Sequence, residues 1–134
     1  MDMRNLAFVP DTQTFEIMAA RAVQSLPDIF RSHLKDVVFR VEDFADRETL
    51  DALNIENPWN LSGLYRGRPV SEQSIWSSHD LPPMIFLYRK PLIAEWQAKG
   101  LDLQELVTHV IVHEVAHHFG YSDDEIHAVE EEGD

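Results

Sequence analysis

The stretch from Leu101 to Phe119 constrains the fold more than any other part of the sequence. Leu103, Leu106, Val107, Val110, Ile111, Ala116 and Phe119 recur at helical spacing, but they spread over more than one side of the helix. A helix that is apolar over most of its circumference cannot lie on a surface, so other elements must enclose it. Gly120 is placed to stop it in a left-handed conformation. Ser122-Asp123-Asp124-Glu125 fits the capping-box pattern and predicts a short final helix.

The rest of the chain supplies elements that could enclose such a helix. Phe15, Met18, Ala19, Ala22, Val23 and Leu26 predict an amphipathic helix over Asp11 to Leu26, capped by Asp11 or Thr12 and closed by Pro27. Alternation over Asp36 to Phe44 predicts a strand, with Val37, Phe39 and Val41 on one face. Asp46 to Leu53 suits a short helical turn, and Asn54 to Gly63 a loop. Leu64-Tyr65-Arg66 before Gly67 reads as a second strand, and Pro69 to Pro83 as a long polar loop. The apolar run Met84 to Arg89 reads as a further strand, followed by a helix from about Pro91 to Lys99 that Gly100 ends. There is no internal repeat and no linker. With 134 residues, a single α+β domain over 1–134 is expected, with 130–134 a frayed acidic tail.

Charge excludes several function classes. The net charge is -13, and all eleven Lys and Arg residues lie before Gly100. From Leu101 onward the acidic residues are Asp102, Glu105, Glu114, Asp123, Asp124, Glu125, Glu130, Glu131, Glu132 and Asp134, with no basic residue among them. Such a surface argues against nucleic acid or an anionic membrane as partner, and it favours a divalent cation or a basic substrate. Solubility alone would also account for it. No apolar run reaches membrane-spanning length, and Met1 to Asp11 holds no signal-peptide core, so a cytoplasmic protein is expected. The chain has no cysteine, so any metal must be held by His and carboxylate.

The predicted central helix carries His113-Glu114-Val115-Ala116-His117. Residues four apart share a helix face, so His113 and His117 can converge on one zinc ion. Glu114 falls on the neighbouring flank, within reach of the metal's water but not of the metal, as a general base requires. Zinc brings the pKa of its water from ~15.7 to roughly 7. This composition predicts roughly 0.03 chance occurrences of the pattern, so coincidence is a poor explanation. A third ligand remains to be found, and a catalytic site keeps a fourth position open.

The full run from His113 to Asp123, His-Glu-x-x-His-x-x-Gly-x-x-Asp, resembles the metzincin-like arrangement of the zincin superfamily, with Asp123 where a third His more often stands. More narrowly, nearly the whole chain resembles a family of small bacterial zincin-like metallopeptidases. The resemblance rests on Phe15 with the helix to Leu26-Pro27, Val37 to Phe44, Gly63-Leu64-Tyr65-Arg66-Gly67, Ile85 to Arg89, and His113 to Asp124. It implies a minimal α+β zincin fold, a small sheet packed on a central active-site helix. It also implies a Zn2+ site on His113, His117 and Asp123, and peptidase activity with Glu114 as general base. His127 is the rival third ligand. A Glu ligand from a later helix fits poorly, because Glu130 to Glu132 follow His117 too soon.

The sequence departs from larger metzincins in two respects. All four Met residues, at 1, 3, 18 and 84, precede the motif, so there is no Met-containing turn after it. The short stretch after Gly120 leaves no room for the usual C-terminal cleft wall, so peptides or flexible segments are the expected substrates. The alternative is a metal-binding protein with a structural or regulatory role and little peptidase activity.

Other residues carry weaker expectations. Tyr65 and Tyr121 are candidate oxyanion donors, with ordinary packing the favoured reading for each. His109 suits a core or outer-sphere role, His118 points off the ligand face, and His33 and His79 suit the surface. Met84 to Arg89 could be a substrate-binding edge strand or a central core strand.

Overall fold

The computed structural model describes residues 9–67 and 81–125. Its elements run α1 (Thr12–Gln24), α2 (Asp28–Arg31), β1 (Val38–Glu42), α3 (Arg47–Ala52), a 3-10 turn (Pro58–Asn60), β2 (Gly63–Arg66), β3 (Met84–Tyr88), α4 (Arg89–Lys99) and α5 (Leu103–His118). The architecture is the expected α+β class. Side chains cap three of the helices, the first at Asp11 as the sequence suggested. Asp11 Oδ1 accepts from the Thr14 N–H at 2.8 Å, Asp46 Oδ1 from the Thr49 N–H at 2.7 Å, and Asp102 Oδ2 from the Glu105 N–H at 3.1 Å. Gly100 closes α4 with φ 65°, in the left-handed region.

The sheet has the order β1-β3-β2. β3 runs parallel to β1, with Phe39 opposite Ile85, and antiparallel to β2, with Tyr65 opposite Ile85. The run Met84 to Arg89, which the sequence left open between edge and centre, is therefore the central strand, ending at Tyr88. Its continuous apolar character follows from having both faces covered. Ile85 and Leu87 enter the main core, while Phe86 and Tyr88 point to the opposite face and pack with Ala45 and Leu50.

The main core joins α1, α4 and α5 to the sheet. Phe15, Ala19 and Ala22 of α1 meet Leu103, Leu106, Val107, Val110, Ile111 and Val115 of α5, with Leu92 and Ile93 of α4. Phe15, Val107, Ile111, Ile85 and Leu92 are fully buried, each worth roughly 1.5–3 kcal/mol relative to exposure. α5 is thus held by α1 on one side and by the sheet on another, which satisfies its many-sided apolar surface. Among the described residues, no helix is long and apolar enough to cross a membrane.

Two short elements were not expected. α2 is a single exposed turn begun by Pro27, which stops α1 and then starts a new turn with Asp28 in its first position. The Pro58–Asn60 turn inside the predicted loop is capped by Asn57, whose Oδ1 accepts from the Trp59 N–H at 3.0 Å. Neither element buries enough apolar surface to leave a periodic signal. The final helix begins as expected. Ser122 and Glu125 bond reciprocally, Ser122 N–H to Glu125 Oε1 and Glu125 N–H to Ser122 Oγ, both at 3.2 Å. His79, His127 and the 130–134 tail lie outside the described residues.

Candidate metal centre

The end of α5 brings the motif together. Gly120 takes φ 94°, and its N–H bonds the His117 carbonyl at 2.9 Å while the Tyr121 N–H bonds the Ala116 carbonyl at 3.0 Å. This double bond pattern is a Schellman turn. It folds the following residues back along the helix, so that Asp123 Oδ1 lies 3.2 Å from His113 Nε2 and 3.0 Å from His117 Nε2. The two imidazoles meet edge to face, with ring centroids 4.9 Å apart.

These three donors fit a metal ion. Their ligand atoms all lie within 4.8 Å of one another. Donors ~2.0–2.1 Å from a tetrahedral ion would stand about 3.3 Å apart, close to the distances here. His117 is also held in the orientation a ligand needs. Its Nδ1 lies 2.9 Å from the Tyr121 carbonyl, which can only accept, so Nδ1 carries the proton and Nε2 keeps its lone pair. Tyr121 therefore meets the site through its main-chain oxygen, and its ring is half exposed. Asp123 sits in the first turn of the final helix, so helix capping and metal binding are compatible there.

Glu114 lies on the flank facing the sheet. It is buried, 8% exposed. Burial pushes its carboxyl up to about 7; the nearby Asp123 adds to this, while His117 and the main-chain N–H of Tyr65, which bonds the carboxylate, act against it. Gly63 permits the close approach of β2 to the helix. A Cβ there would stand 2.5 Å from Val110 Cγ1 and 3.5 Å from Glu114 Oε2.

His118, one turn beyond Glu114, is 2% exposed and off the ligand face as expected. Its Nδ1 lies 2.8 Å from the Tyr65 hydroxyl and its Nε2 3.2 Å from the His33 carbonyl. Burial also pushes its pKa down, favouring the neutral ring. His33 is exposed, as expected, while its carbonyl reaches His118 and its ring meets Phe119 edge to face. His109 is exposed, not in the core, and is not one of the three clustered donors. The roles of Gly63, of the Tyr65 N–H and of the His118 contact were not read from the sequence, because each depends on the pairing of α5 with a strand some fifty residues earlier.

No curated protein matches the chain significantly. A family model described as zincin-like metallopeptidase matches residues 34–133, from the loop before β1 through the whole motif region. That family implies a divalent metal, and the match spans most of the sequence: the chain belongs to the zincin-like metallopeptidases.

Proposed function

We propose that this protein is a zinc-dependent peptidase in which His113, His117 and Asp123 hold the ion and Glu114 is the general base. The observation that carries the reading is the convergence of two Nε2 atoms on one carboxylate oxygen, with a buried carboxyl one residue along from the first histidine. Bound there, zinc would supply a Lewis acid that brings the pKa of water toward roughly 7. Glu114 takes the proton from the attacking water and returns it to the leaving amine. In the metal-free fold its burial raises the carboxyl's affinity for a proton, which favours holding the proton between the two transfers.

Peptides or flexible segments suit this site best. The Ser62 carbonyl accepts from the Tyr88 N–H at 3.0 Å, so even-numbered positions of β2 pair with β3. The main-chain groups of Gly63 consequently point away from β3, where an extended chain could add alongside. The test is hydrolysis of a broad peptide library by zinc-loaded protein. Wild type should cleave, and Glu114→Gln should keep its zinc and lose cleavage. Zinc-loaded wild type that cleaves nothing would overturn the enzymatic reading.

A second reading is a metal-binding protein of structural or regulatory role. It is favoured by the placement of the donors on both sides of the Schellman turn, where an ion would staple the final helix to α5. A chelator would then lower the melting temperature with no activity to lose.

A further inference from the structure

Two residues on α5 reach the same residue on β2. Glu114 and His118 are four apart, so they share one helix face, a step round from the face that carries His113 and His117. Glu114 takes the main-chain N–H of Tyr65. His118 takes the Tyr65 side chain at 2.8 Å. Nothing in the zinc chemistry requires the second contact, and burying a histidine this completely is costly unless its ring nitrogens are satisfied.

The partners of His118 set the direction of the chain of bonds. The His33 carbonyl can only accept, so Nε2 carries the ring proton. Nδ1 is then an acceptor, and the Tyr65 O–H must donate to it. Tyr65 is therefore fixed at both ends, by its hydroxyl to the end of α5 and by its N–H to the carboxyl of Glu114. Gly63 completes the arrangement. A side chain there would collide with Val110 Cγ1, so glycine sets how closely this strand can lie on the helix.

We propose that Tyr65 is a positioning residue for Glu114, and that His118 holds it there. With the Tyr65 N–H fixed, the Glu114 carboxyl is confined to one orientation on the flank of the metal centre. An acid–base group held this way loses less freedom on reaching its reactive geometry. Tyr65 does not act as the oxyanion donor considered from the sequence, because its hydroxyl proton is committed to His118. The role rests on the reading of Glu114 as general base, but the bracket itself does not.

The experiment has two arms, both on the full chain. In the first, hydrogen exchange of backbone amides is followed in metal-free wild type and Glu114→Ala. Loss of this hydrogen bond should speed Tyr65 amide exchange by roughly tenfold, with the amides of Leu64 and Arg66, which face β3, unchanged. An unmoved Tyr65 amide overturns the bracket. In the second arm, Tyr65→Phe in zinc-loaded protein should lower kcat by roughly tenfold while KM and zinc affinity hold. His118→Asn, whose amide oxygen can accept from Tyr65, should retain more kcat than His118→Leu. Full kcat in Tyr65→Phe overturns the positioning role. If wild type cleaves no peptide, the peptidase reading and the role in it both fail, and the exchange arm still decides whether the bracket exists.

Discussion

His113 and Glu114 are neighbours in sequence, yet they belong to two differently built halves of one site. The metal half consists of His113, His117 and Asp123, all within eleven residues, with Asp123 largely exposed. Helix periodicity and one Schellman turn are enough to assemble it. The base half consists of Glu114 and His118, both buried, and depends on partners as far as 53 and 85 positions away. Assembly of the candidate metal donors is thus a local property of the chain, whereas placement of the proposed base is a property of the tertiary fold.

The largest effects should separate the halves cleanly. Asp123→Ala and Glu114→Gln should each lower kcat/KM on a peptide by at least roughly 100-fold, within the range ascribed to a general base. Only Asp123→Ala should weaken zinc, by more than the ~10–100-fold seen when an outer hydrogen-bond partner is lost. Zinc titration by calorimetry, run beside the kinetic assay, checks both. Equal zinc affinities in the two variants would erase the division.

The same division explains what the sequence disclosed. The turn and restart that carry Asp123 back were legible because Gly120 and the Ser122–Glu125 box operate over a few residues, while Asp123 as a ligand was only implied by the family resemblance. α1, β1 and α5 were legible because each buries a recurrent apolar set large enough to dominate its composition, and β3 because its apolar run has the length of a strand. The position of β3 at the sheet centre was not, since an apolar run of strand length carries no record of its neighbours. Tyr65 was likewise visible as a residue but not as a role. Its N–H becomes useful only once β2 pairs with β3 in the register that turns odd positions toward α5.

A pH experiment sharpens the comparison. Glu114 ionises near an ordinary 4.5 in the unfolded chain but near 7 in the fold. Below about pH 4.5 the carboxyl is protonated in both states and contributes nothing. As the pH rises toward 7 the unfolded state sheds its proton first, so the metal-free fold loses stability, on the order of 3 kcal/mol in all. Urea denaturation of chelator-treated wild type should show this decline between about pH 4.5 and 7, and Glu114→Gln should not. Because overall negative charge also destabilises the fold at higher pH, the difference between the two proteins is the quantity to read. A pH-independent difference would mean that Glu114 is better solvated than its burial indicates.

Gly63→Ala tests the base half from the other side. The added methyl must displace Val110 or lift β2, which should cost about 1–3 kcal/mol, the usual range for overpacking. In urea denaturation the midpoint should fall, and zinc affinity, which depends on the metal half, should be unchanged. A loss of zinc affinity of similar size would show the two halves to be mechanically coupled through α5.

The smallest effect belongs to Ser122. Its hydroxyl caps the helix that presents Asp123, and removing such a cap typically costs about 1 kcal/mol. Ser122→Ala lies at the edge of the fold, far from the main core, so the global denaturation midpoint should hardly move. The cost should instead be felt when zinc binds, because Asp123 must be ordered before it can join His113 and His117. Zinc affinity should therefore fall by roughly fivefold, the factor that about 1 kcal/mol represents. If affinity holds while the metal-free midpoint falls, the capping box contributes to the fold as a whole, and the metal half is less local than its spacing suggests.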